Sequence, residues 1–139
     1  MLDPYKHNGH CVVMDSAYMS DAMCQVGREE WKINMVGTCQ TDRCGAGPLG
    51  RATVTERGIK VGTHATVLYQ HKDKPLTYAI WADNNFVKTL SNFHGAVLLR
   101  GGMQRKLRNP VTKRGNKDFS DVDCPEQQWV YCNTYHLFD

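Results

Sequence analysis

Asp15 holds the most suggestive position of any carboxylate in the sequence. It closes the run Cys11-Val-Val-Met-Asp15, where a short apolar stretch rich in β-branched residues gives way to Ser16-Ala-Tyr-Met-Ser20. Open α/β sheets tend to place chemistry at the carboxyl mouth of a buried strand, beside a strand-to-helix crossing. The chemistry suited to such an aspartate is carboxylate–metal chemistry. Two hard divalent ions about 3.5–4 Å apart clamp the attacking and leaving oxygens of a phosphoryl transfer, and Mg²⁺ prefers oxygen ligands. That arrangement needs two or three acids converging from different elements, and spacing alone does not name the partners of Asp15. The plain alternative is that Asp15 caps the following helix, since Asp is a favoured cap residue.

Sulfur offers less. Cys39 and Cys44 are the nearest approach to a structural-zinc pair, while Cys124, Cys132 and His136 are spaced too widely. No local signature marks any of the six cysteines as a nucleophile. Without an apolar signal-peptide region in Met1-Leu-Asp-Pro-Tyr-Lys-His7, free thiols in a reducing compartment are expected.

The elements that must position Asp15 read as strand, helix, strand. Ser16 and Ser20 both offer N-cap oxygens, and Met19, Ala22, Met23 and Val26 recur at helical spacing. Gly27 weakens that helix near its end, and Ile33, Met35 and Val36 resume an extended run closed by Gly37. From Gln40 to Gly62 five glycines and a proline break the pattern, which predicts a long connection. Ala65–His71, Thr77–Trp81 and Phe86–Leu90 then read as an antiparallel meander, with Val97–Leu99 a further short strand. Pro125 suits a helix start, and residues 127–139 are equally compatible with helix or strand. The order is βαβ, then mostly β, then a mixed segment, which argues for an α/β layer interrupted by a β-rich insertion.

With 139 residues, 41% of them hydrophobic and 22% charged, the chain is that of one globular domain. No apolar run approaches the roughly 20 residues that span a bilayer. The net charge of +3 is unevenly spread. Arg100, Arg105, Lys106, Arg108, Lys113, Arg114 and Lys117 crowd into one stretch without an acid, and no Lys or Arg follows. Such a stretch suits phosphate contacts to nucleic acid, and equally a solvated loop.

Taken together, three blocks resemble the piggyBac transposase family. Val12-Val-Met-Asp15-Ser-Ala-Tyr-Met-Ser-Asp21, followed by Ile33-Asn-Met-Val-Gly-Thr38-Cys-Gln-Thr-Asp-Arg43, is similar to the family's strand ending in Asp and its Val-Gly-Thr strand with a basic residue soon after. Tyr78-Ala-Ile-Trp81-Ala-Asp83 and Val87-Lys-Thr-Leu90-Ser91-Asn-Phe-His94 resemble a later segment. Cys124-Pro125 through Tyr131-Cys-Asn133 to Asp139 resembles the stretch before a further aspartate. The blocks span nearly the whole chain in the family's order.

The resemblance implies a partial ribonuclease-H-like core in residues 1–48, a β-rich insertion with the basic loop in 49–120, and a return to the catalytic core in 121–139. It implies two Mg²⁺ ions held by aspartates, which cut DNA at transposon ends and join the 3′ hydroxyls into a TTAA target. By position Asp15 and Asp139 match the second and third catalytic aspartates, as catalytic residues and metal ligands. DNA contact is expected from Arg100, Arg105, Lys106, Arg108, Lys113 and Arg114. A homodimer acting in the nucleus, with no membrane role, is implied for the parent protein. The family's first catalytic aspartate lies well upstream of the Asp15 block, and Asp3, close to Asp15 and before Pro4, is not its match. His136-Leu-Phe138 stands where the family has Gly-Gly-Val. An incomplete carboxylate cage is therefore expected, giving a transposase fragment inactive alone. The alternative is a transposase-derived, non-catalytic DNA- or protein-binding module. A cysteine hydrolase, sensitive to thiol alkylation and indifferent to chelators, is a third reading.

Overall fold

A computed structural model describes residues 10–105 and 119–135 of the chain. The first unit is β1 (Cys11–Met14), α1 (Asp21–Glu29) and β2 (Asn34–Thr38), with β1 and β2 parallel and Met14 opposite Gly37. Ser20 caps α1: it is extended, and its Oγ accepts from the Met23 N–H at 3.1 Å. Such a cap is worth about 1 kcal/mol. Asp15 therefore does not cap the helix. Gly37 follows from the ladder itself, because a Cβ there would run into the Met14 carbonyl oxygen. Gly27 does not end α1 early. It is buried, and its missing side chain lets the helix approach Met35, whose Sδ would lie 2.7 Å from a Cβ.

The glycine-rich stretch after β2 is more ordered than its sequence predicts. A short 3-10 turn (Thr41–Arg43) leads into α2 (Gly47–Glu56), which starts with Pro48 in its first turn. Pro is preorganised for that place, where its missing N–H costs nothing. Gly50 has a packing reason: a Cβ there would sit 2.8 Å from Tyr78 Cε1. Two of the supposed breakers are thus a helix start and a helix–sheet contact.

The meander follows as β3 (Thr66–Gln70), β4 (Thr77–Ala82) and β5 (Phe86–Ser91). β5 also pairs antiparallel with β2, with Val36 opposite Ser91 and Thr38 opposite Thr89. The result is one mixed five-stranded sheet in the order β1-β2-β5-β4-β3. The expected segment boundary at residue 48 falls in the first turn of α2, while the meander and the βαβ unit share this sheet.

β6 (Leu98–Arg105) and β7 (Ser120–Pro125) form a separate antiparallel ribbon, and α3 (Glu126–Tyr135) follows. β6 runs six residues past the short strand expected at Val97–Leu99, so the basic stretch begins on a strand. Gly101, at φ 61°, sits in an irregularity between Leu99 and Met103. The ambiguous segment after Pro125 is helical through Tyr135.

All six residues of β4 are buried because both of its faces are covered. Tyr78 and Ile80 face α2 and the core that includes Met35 and Leu90. On the other face, Trp81 packs with Met103 and Cys124 of the ribbon and donates from Nε1 to the Asp123 carbonyl at 2.8 Å. Gln127 of α3 reaches the same face, donating to the Thr77 carbonyl and Thr89 Oγ1. The architecture is mixed α/β, with three α-helices among the described residues. No helix among the described residues is long and apolar enough to cross a membrane.

Candidate nucleic-acid cleft at the carboxyl ends of β1 and β2

The loops that leave β1 and β2 are tied together. Asp15 is exposed, and its Oδ1 accepts from the Ala17 N–H at 2.9 Å, forming a tight turn. Arg43, on the 3-10 turn after β2, donates from Nη1 to the Ala17 carbonyl at 2.6 Å and to that of Ser16 at 3.4 Å. Asp21 Oδ2 accepts from the Gly45 N–H at 2.6 Å, a second tie between the same loops. Backbone and side-chain bonds thus fix where Asp15 stands, although the carboxylate itself faces water.

These loops form one wall of an open cleft of about 690 Å³, bounded on the other side by the starts of α2 and β5. Ser16, Thr38 and Thr41 present hydroxyls to it, and Arg51 and Lys88 bring two cations. Lys88 Nζ donates to Thr41 Oγ1 at 3.2 Å, while neither Lys88 nor Arg51 is paired with a carboxylate among the described residues. Asp42 is the single carboxylate on the lining among the described residues. A smaller recess of about 240 Å³ shares Arg51, Phe86 and Lys88, and adds the apolar side chains of Val54 and Ile80.

The residues expected to bind DNA are placed less uniformly. Arg100 extends into solvent and pairs with Asp123 at 2.9 Å. Arg105 is folded inward: its Nε lies 3.3 Å from both Asp83 oxygens, and its guanidinium sits over the Trp81 ring. His64 Nε2 meets the same carboxylate at 3.1 Å. This cluster holds the ribbon to the sheet, so Arg105 serves packing in this arrangement. Lys106, Arg108, Lys113, Arg114 and Asp139 lie outside the described residues.

Cys24 and Cys44 are poorly suited to nucleophilic work at neutral pH. Burial, reinforced by Asp21 and Cys44, pushes the Cys24 thiol up to about 12. Cys44 is raised further, first by its hydrogen bond with Cys39 and then by burial. Protonated thiols are weak nucleophiles and weak metal ligands. No group of three His, Cys, Asp or Glu residues among the described residues is arranged to hold a metal ion. Asp15 alone is one exposed carboxylate, which does not make a two-metal cage.

Arg51, Phe86 and Lys88 were not singled out by sequence reasoning. One signal was present: in β5, Phe86, Lys88 and Leu90 alternate onto the face that packs on α2, and a lysine there interrupts an apolar row. Arg51 offered no such signal, because its helix was not foreseen. In comparisons with known proteins, the chain matches no family model, no curated protein sequence and no solved structure.

Proposed function

We propose that this chain is part of a piggyBac-like DNA transposase, with its βαβ unit belonging to a ribonuclease-H-like core. The parent reaction is Mg²⁺-dependent DNA strand cleavage and transfer at transposon ends and a TTAA target, by a homodimer in the nucleus. One observation carries the reading. Asp15 stands at the carboxyl end of β1, in a parallel pair joined by a helical crossing, next to a cleft with two cations that have no carboxylate partner among the described residues. In α/β sheets that crevice is where ligands bind. The metal part of the proposal assigns Asp15 and Asp139 as ligands, with further carboxylates needed to complete the cage.

The test is a titration with Mn²⁺ in place of Mg²⁺, followed by paramagnetic broadening of backbone NMR signals. Broadening is expected around Asp15, weak in affinity because a single exposed carboxylate binds poorly, and lost in Asp15→Asn. Signals at Asp15–Tyr18 that stay sharp while others broaden would remove Asp15 as a ligand.

The second reading, a transposase-derived module that binds DNA or protein without cleaving, is favoured by one specific feature. The cleft lining carries more cations than carboxylates, which suits holding a polyanion more than holding metal. Under it, Asp15→Asn leaves DNA affinity unchanged in both the presence and absence of divalent ions.

A further inference from the structure

The two adjoining cavities share three residues and differ in character. Ser16, Thr38 and Thr41 line the larger beside Pro48 and Val87, and Val54, Ile80 and Thr55 line the smaller. Arg51, Lys88 and Phe86 border both. The site thus sets two cations beside an exposed aromatic ring and a partly apolar recess. At about 690 Å³, the larger cavity lies in the range of small-ligand sites, about 300–1,000 Å³.

We propose that this cleft holds one nucleotide unit of single-stranded nucleic acid, its phosphate on Arg51 and Lys88 and its base against Phe86. Arg51 sits on the exposed surface of α2 and makes no side-chain ion pair with any described residue, so its guanidinium fork is available to phosphate oxygens. Lys88 is held in place by Thr41 and adds a point charge. Arg43, on the 3-10 turn beside the cleft, is already used by the Ser16 and Ala17 carbonyls. Phe86 keeps 37% of its surface exposed at the mouth of the apolar recess, as a stacking platform requires. A duplex presents its bases stacked and paired, so a stacking platform inside a cleft selects an unpaired strand. The proposal deepens the nucleic-acid reading of the same cleft and is independent of metal binding at Asp15.

The experiment is fluorescence anisotropy with a labelled 12-mer of thymidine, a duplex of equal length as comparison, and EDTA present throughout. The wild-type chain is expected to prefer the single strand. Arg51→Gln with Lys88→Gln weakens binding by about tenfold or more and flattens its salt dependence, because two phosphate contacts release fewer counterions. Phe86→Ala weakens it by roughly 5- to 100-fold, the range for one stacked base. Arg51→Gln alone, at an exposed helix position, keeps the test sound if the double variant fails to fold. Equal affinity for duplex and single strand, with Phe86→Ala silent, overturns this proposal while leaving a DNA-binding function standing. Binding of neither DNA overturns both. Displacement by millimolar inorganic phosphate, with Phe86→Ala silent, reduces the cleft to an anion site and overturns the nucleotide assignment.

Discussion

The two ends of β5 carry polar side chains to opposite effect. At its start, Phe86 is exposed and Lys88 lies in an open cleft with one hydrogen bond and no carboxylate partner among the described residues. At its end, Ser91 and the next residue, Asn92, are buried, and each of their side chains is committed. Asn92 Oδ1 accepts from the Met35 N–H at 2.7 Å, and its Nδ2 donates to the Cys24 and Ile33 carbonyls at 2.9 and 3.1 Å. One amide thus joins α1, the entry to β2, and the end of β5. Ser91 Oγ accepts from the Phe93 and His94 N–H groups, leaving its hydrogen for His94 Nδ1 at 2.8 Å. The closed end makes the fold specific, because a buried polar group is tolerated only where its partners are fixed. The open end keeps cations available to something outside the chain. Polarity alone does not distinguish the two; the presence or absence of partners does.

The sharpest way to break this contrast is at Asn92. Asn92→Ala strands the Met35 N–H in the core and removes the amide's bonds to the Cys24 and Ile33 carbonyls, and a loss on the order of 3–5 kcal/mol is expected in urea unfolding. A shift below about 1 kcal/mol would mean that water or a neighbour satisfies those groups. His94 sharpens it next. Burial lowers the pKa of its imidazole, a nearby Glu126 offsetting this only in part, and the ring accepts from Ser91 in its neutral form. The folded value then lies below the unfolded one. Its stability contribution is full above the ordinary histidine range, near pH 6.5, and is lost as pH falls through the lower folded value. The thermal midpoint should therefore drop on acidification from pH 7.5 to 5.5, and less steeply in His94→Gln. An equal slope in the variant would assign the effect to another group. The smallest effect belongs to the open end. Arg51→Gln with Lys88→Gln should leave unfolding free energy within about 1 kcal/mol of wild type, because neither cation has a carboxylate partner among the described residues. A larger loss would make the cleft structural.

Local patterns in the chain were enough for the parts of the fold governed by short-range chemistry. The apolar run ending at Asp15 and the three meander strands follow from side-chain alternation acting over a few residues, while Asp15, Ser16 and Ser20 all suited the cap and the structure selects Ser20. The glycines were read less well, because a glycine that breaks a helix and one that admits a neighbour look alike in sequence. Gly27 and Gly50 are of the second kind, and only Met35 and Tyr78, distant along the chain, reveal it.

The site divides in the same way. Position at a strand end marked Asp15 without any tertiary information. Arg105 was read as one of a basic series, yet Asp83, His64 and Trp81 draw it inward, and those contacts arise from strands that meet only after folding. Arg51 and Lys88 are 37 positions apart in sequence and belong to different elements. Sequence determined that each is a cation on its own element. Tertiary structure decided that they border one cleft, because α2 packs over the sheet where β5 begins.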